Sequence, residues 1–404
     1  MLTQEREVIT MNERMRGLGA KKSIIRELFE YAKTVRAEKG ADAIFDFTIG
    51  NPSVGAPKAV AEALTHLIET TPPEILHGYT SAQGDPAVRE AIASYIRDTY
   101  KAPAEADRIY MTAGAAAALC ISFHAILNPG DEVIVPAPYF PEYKVFVESA
   151  GGTLRPIPSL QGSMKPDIDA IRAAINEKTR ILLLNSPNNP SGAVIDGESL
   201  AALCALLEEK SETFGHTIYL VGDEPYRELV YDGITVPYLT NYYKNTIVCY
   251  SFSKSLSLAG ERIGYVLLHP ECENADDVYA AICGAGRALG YVCAPSMLQF
   301  LIPYCLGKTS DVSIYAKNRG LLYEGLSSFG FECVKPEGAF YLFLKSPEPD
   351  AYAFLEKAKA HGLLFVPGDD FGYPGYVRVA YCVQSETIEK ALPRFSALAK
   401  DYNL

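Results

Sequence analysis

From about residue 107 the chain repeats one grammar: a short apolar run, a polar or glycine-rich break, then a stretch of helical character. The runs are RIYMT, DEVIVPA, TLRPIP, RILLLN (180–185), TIYLVGD (217–223) and NTIVCYSF (245–252). The last three are compact and do not alternate cleanly between apolar and polar positions. Strands buried on both faces read this way, which predicts a mostly parallel sheet covered by helices. Helices are predicted from the alanine-rich text starting near Gly114, from PYFPEYKVFVESAGG, and from ESLAALCALLEEKSETFG (198–215). Upstream, residues 21–40 and 86–100 carry helical spacing, and IFDFTIGNP (44–52) reads as a short strand broken by Gly50 and Pro52. After about residue 310 the text becomes a long helix, an FYLFLK strand, another helix and a VRVAYC strand. The expected fold class is therefore α/β, with a large domain (51–308) and a smaller α+β domain (309–404) to which residues 1–50 contribute an arm and a helix.

The chain has 404 residues, 48% of them apolar and 21% charged, an ordinary globular composition. A net charge of −12 argues against a nucleic-acid partner, which calls for a basic face. Nine cysteines without a CxxC pair read as reduced thiols in a cytoplasmic protein. The N-terminal MLTQEREVITMNERMRG alternates charges and is expected not to be a signal peptide, and no apolar run of membrane-spanning length is found. The six histidines are isolated, so no metal site is expected.

Several predicted strands end in unusual polar text: NSPNNPSG, GDEPY and SFSK, with GAAAAL after RIYMT. Ligands of open α/β sheets bind beyond the carboxyl ends of the strands, which directs these four loops to one site. The helix opening at Gly114, with Ala115 and Ala116, offers unobstructed backbone N–H groups for a small anion, and Arg262 adds a forked cation. The same alanine-rich text also suits a tightly packed helix. Asp223 ends a buried strand and stays ionised only opposite a cation. Tyr226 and Asn189 follow on adjacent loops as hydrogen-bonding groups, although Asn189 also suits ordinary turn chemistry. Lys254 lies at a strand end near Arg262, where a desolvated amine becomes a better nucleophile; a solvated surface lysine is the plainer reading.

Taken in order, YTSAQG (79–84), GAAAAL, NPGDEVIVPAPYFPEY (128–143), NSPNNPSG (185–192), DEPY (223–226), SFSKSLSLAGERIGY (251–265), PEGAFY (336–341) and VRVAY (377–381) resemble the class I/II aminotransferases of fold type I. The resemblance covers nearly the whole chain beyond the first forty residues. It implies a pyridoxal 5'-phosphate enzyme that moves an amino group between an L-amino acid and a 2-oxo acid. Lys254 would bind the cofactor and shuttle the proton, Asp223 would pair with the pyridinium nitrogen, and Tyr226 and Asn189 would bond the phenolic oxygen. Phe140 would stack on the ring, and Gly114, Ala115, Ala116, Ser251, Ser253 and Arg262 would hold the phosphate. Tyr79 matches the tyrosine that reaches the phosphate of a neighbouring subunit, which implies a homodimer with shared sites. Arg378 matches the α-carboxylate clamp, and Gly50 lies in the segment lining the substrate side.

Departures from the family text bear on the substrate. Ala116 stands where aspartate-specific bacterial relatives often carry a lysine, while Arg287 lies near the position of a distal-carboxylate arginine but could equally be a surface helix residue. Asp369 and Asp370 would disfavour a dicarboxylate bound nearby, and 26 tyrosines with no tryptophan permit aromatic substrates. A lyase or decarboxylase on the same scaffold is the alternative reading. SFSK also satisfies the S-x-x-K of serine hydrolases with Ser251 as nucleophile, but the SDN and KTG strings that chemistry needs are absent.

Overall fold

A computed structural model describes residues 11–20 and 24–404. Residues 1–10 and 21–23, which include most of the text read against a signal peptide and the start of the predicted 21–40 helix, lie outside the described residues.

A seven-stranded sheet forms the centre. Its strands are β1 (Ile109–Thr112), β2 (Glu132–Ala137), β3 (Thr153–Pro158), β4 (Thr179–Asn185), β5 (Tyr219–Asp223), β6 (Thr246–Ser251) and β7 (Gly264–Leu268). They lie in the order β1-β7-β6-β5-β4-β2-β3, and only β7 runs against the others. β7 is the one strand of this sheet that the sequence reading leaves unassigned, because its apolar run follows directly on the RIG text of the anion loop.

The unbroken apolar runs have a direct cause. In β4, Leu182 and Leu184 face one core while Ile181 and Leu183 face another, and Val248 and Cys249 divide in the same way in β6. The helices Pro86–Tyr100, Gly197–Phe214 and Ser296–Cys305 cover the first face; Ala115–Ile126, Glu142–Ser149 and Ala275–Ala288 cover the second. Each fully buried Leu or Ile side chain contributes about 1.5–3 kcal/mol of transfer free energy, so either layer alone would leave the sheet half stabilised. Helix ends follow local chemistry: Asp85 caps the 86–100 helix by accepting from the backbone N–H groups of Ala87 and Val88, with Pro86 at the first turn.

A separate core joins Leu28, Ala32 and Phe47 to Leu342, Phe354, Val377 and Phe395. The helix Ile24–Lys39 and the two-residue strand Phe45–Asp46, paired in parallel with Leu363–Leu364, thus pack with the C-terminal part of the chain. Among the described residues no helix is long and apolar enough to cross a membrane, and no group of His, Cys, Asp and Glu is arranged to hold a metal ion.

Candidate active site

Strand direction sets the site. The parallel strands β4, β5 and β6 deliver Asn185, Asp223 and Ser251 to one edge of the sheet. β7 starts at that same edge, so Arg262 arrives beside the turn between β1 and the helix Ala115–Ile126. A cavity of about 380 Å³ opens there. Lys254, Asp223, Tyr226, Asn189 and Arg378 line it. Gly50, Ala115, Ala116 and Phe140 form further parts of its wall, with Ser251, Ser253 and Arg262 at the anion end.

The anion end is built around two unusual backbones. Gly114, the residue before the helix, has φ 83° and ψ 176° and leaves the first turn without a side-chain cap. A Cβ there would meet the Arg262 guanidinium at 2.5 Å. Arg262 itself adopts φ 57°, a left-handed conformation seldom taken by a side chain of this size. Its guanidinium donates to Ser253 Oγ at 3.1 Å, and the Ser251 and Ser253 hydroxyls are 2.6 Å apart. Gly114→Ala is expected to cost roughly 1–3 kcal/mol of stability, because its backbone region is nearly closed to L side chains. It should also displace Arg262; urea unfolding and titration with inorganic phosphate would report the two effects separately.

At the other end, Arg378 is 3% exposed yet has no carboxylate partner among the described residues. It donates to Asn189 Oδ1 at 3.0 Å and to the Thr48 carbonyl at 2.5 Å, and among the described residues its Nε has no acceptor. The rings of Tyr341 and Phe371 lie 4.5 and 4.8 Å from its guanidinium. Tyr341 also bonds Tyr226 hydroxyl to hydroxyl at 3.0 Å, and a Cβ on Gly50 would strike that Tyr341 hydroxyl.

Between the two ends, Lys254 Nζ donates to the Gly50 carbonyl at 2.7 Å. Burial pushes its pKa down to about 8, and the Arg262 and Arg378 charges add to this against the opposing Cys382 thiol. Asp223 is buried; its Oδ2 accepts from Tyr143 Oη at 2.5 Å while Oδ1 has no partner among the described residues. Burial pushes its pKa up to about 7; the Tyr143 hydroxyl draws it down and the Glu224 carboxylate raises it. Phe140 meets Tyr143 edge to face at 5.5 Å.

The matching sequence model is that of the family described as aminotransferase class I and II, over residues 42–395. The chain belongs to that family. It is an aminotransferase of a family that uses pyridoxal phosphate. The chain is 30% identical to an aspartate/prephenate aminotransferase of Thermus thermophilus, over 95% of this chain and 98% of that protein. A solved aminotransferase structure from Eubacterium rectale is 51% identical and superposes with a TM-score of 0.96, covering 98% of this chain and 100% of that one. An aspartate aminotransferase from Thermus thermophilus, solved with maleate, gives a TM-score of 0.84 at 30% identity, over 96% of this chain and 99% of that one.

Two expected residues stand apart from the aminotransferase cavity. Tyr79 is 90% exposed, outside the cavity of its own chain. Arg287 is exposed in the last turn of the helix Ala275–Ala288 and does not line the cavity of its own chain, a surface helix position that the sequence equally allowed. Asp369 and Asp370 are likewise exposed and do not line the cavity. Tyr143, Asn185, Thr48, Tyr341 and Phe371 were not expected at the site. Tyr143 and Tyr341 lie inside the PYFPEY and PEGAFY text, and their place in those motifs was the available signal.

Proposed function

We propose that this cavity binds pyridoxal phosphate on Lys254 and transfers amino groups between L-amino acids and 2-oxo acids held through Arg378. One observation carries the reading: a buried carboxylate oxygen, a buried arginine and a low-pKa lysine, none of them ion-paired among the described residues, share a single cavity. Unpaired buried charges are costly, and a cationic heterocycle on Asp223 Oδ1 with a carboxylate on Arg378 would relieve both.

The fit extends to each part of the cofactor. Ser251, Ser253, Arg262 and the backbone N–H groups of Ala115 and Ala116, freed by the Gly114 turn, suit its phosphate. Asp223 suits its ring nitrogen, Tyr226 and the Asn189 amide suit its phenolic oxygen, and Phe140 suits its ring face. Bound there, the cofactor supplies an electron sink that makes a substrate α-proton removable. Lys254 Nζ takes that proton and returns it; its lowered pKa keeps about a tenth of the amine uncharged at pH 7. Arg378 orients the α-carboxylate with a two-pronged fork, and the Tyr341 and Phe371 rings keep water off the fork.

Ile25 and Ile49 on the cavity wall favour an apolar or aromatic substrate side chain. The names of the Thermus thermophilus relatives favour aspartate as a second reading. We also propose a homodimer in which Tyr79 reaches the neighbouring subunit's phosphate. Exposed Ile68, Ile75 and Tyr304 lie on adjoining helices and suit a subunit contact. The nine free thiols suit the cytoplasm, and the separate core of residues 24–47 with the C-terminal part suits a domain division near residues 50 and 308.

The test is a half-reaction. Each amino acid is mixed with holoenzyme without any oxo acid, and the expected result is one equivalent of the matching 2-oxo acid per site, with continued turnover only once a second oxo acid is added. Sustained ammonia release without an oxo acid would instead show a lyase.

A further inference from the structure

We propose that Tyr143 is the positioning residue for the ring-nitrogen partner, its hydroxyl holding Asp223 Oδ2 so that Oδ1 alone turns toward the cavity. The inference rests on the proposed role of Asp223 and adds a residue to it.

Tyr143 is fully buried in the helix Glu142–Ser149, which follows β2, and reaches across to the end of β5. Its 2.5 Å contact lies in the range of hydroxyl-to-carboxylate bonds, which are shorter and stronger than neutral ones. Asn185, from the neighbouring strand β4, donates to the Asp223 carbonyl at 2.8 Å and lies 3.5 Å from Oδ2. Both side-chain donors therefore meet Oδ2 and none meets Oδ1. Rotating the carboxylate would break the Tyr143 bond inside a region closed to water. The same tyrosine packs edge-on against Phe140, so one side chain braces the carboxylate and the aromatic wall beside it.

The other groups around Asp223 do not replace this donor. Cys249 pairs with it from β6, and Tyr226 and Glu224 lie on its own loop. Lys254, Arg262 and Arg378 line the cavity without an ion pair to it. Tyr143 is the neighbour that draws the buried carboxyl back toward its charged form, against burial and the Glu224 charge.

The test compares Tyr143→Phe, Asp223→Asn and the double variant with the unaltered enzyme. Apoprotein carrying ¹³C-carboxyl aspartate is titrated with pH, the Asp223 signal being the one lost in Asp223→Asn; pyridoxal phosphate affinity is measured by absorbance. Tyr143→Phe should raise the Asp223 midpoint by about one unit or more and weaken cofactor binding roughly 10- to 100-fold. Added to Asp223→Asn, it should cost little further. If Asp223→Asn weakens cofactor binding while Tyr143→Phe moves neither readout, the role of Tyr143 is overturned and that of Asp223 survives. A neutral Asp223→Asn overturns both. Should Tyr143→Phe fail to fold, tyrosine ring-carbon NMR of the unaltered apoprotein decides. One tyrosine signal must shift in Asp223→Asn and titrate with Asp223; its indifference overturns the proposal.

Discussion

Lys254→Ala is expected to lower kcat for transamination by about 10⁴-fold or more. Positioned proton transfer alone is typically worth roughly 10²- to 10⁴-fold, and this variant also loses the covalent hold on the cofactor. Lys254→Arg separates charge from chemistry: a guanidinium keeps the cation but does not lose its proton near neutrality, so Arg should be as inactive as Ala. The pH dependence follows from burial. Because burial depresses the Lys254 pKa to about 8, capture of pyridoxal phosphate by apoenzyme should accelerate with pH and level off above 8. An exposed lysine would instead keep accelerating toward its ordinary value near 10.4.

Stability carries the opposite signature. The unfolded chain keeps the Lys254 proton at pH values where the folded chain has lost it, so the penalty for burying this amine is complete below 8 and fades as pH rises. Apo Lys254→Met should therefore melt above the unaltered apoprotein at pH 7, and its margin should shrink between pH 8 and 10.5. A margin that does not vary with pH would mean that the amine is solvated in the free enzyme.

What was legible in the sequence were features encoded locally. The runs RILLLN and TIYLVGD announce two-sided burial by lacking alternation, and Lys254 and Asp223 stand out because each puts a charge at the end of such a run. Features that depend on which chain segment returns where were not legible. GYVLL is as apolar as its neighbours, and nothing in its composition states that it runs antiparallel and so brings Arg262 to the shared edge. Tyr143 and Tyr341 read as two of 26 tyrosines until the fold sets one hydroxyl on Asp223 and the other on Tyr226. Arg287 shows how little spacing alone decides: its distance from Arg262 in the chain leaves a substrate role and a surface helix position both open, and the fold sets it exposed at a helix end.

Arg378→Ala is expected to lower kcat/KM for amino acids by roughly 10²- to 10⁴-fold. Two hydrogen bonds to a carboxylate, each worth about 1.5–3 kcal/mol, account for that range. Cofactor affinity should fall far less, since Arg378 sits at the opposite end of the cavity from Ser253 and Arg262 and meets the cofactor's residues only through Asn189 and the charge it places near Lys254. Arg378→Lys should recover only part of the loss, because an ammonium cannot present two parallel N–H groups. The decisive comparison uses primary amines without a carboxylate: their slow reaction should be unaffected or improved in Arg378→Ala, whereas a general collapse of the site would depress both substrate classes. The free enzyme supplies a further check. Arg378 is buried with an unpartnered Nε and only neutral acceptors, so an apolar Arg378→Leu should leave the substrate-free protein as stable as before or more so. A residue kept at a cost in the empty cavity, and needed only once a carboxylate arrives, is a binding group rather than a structural one.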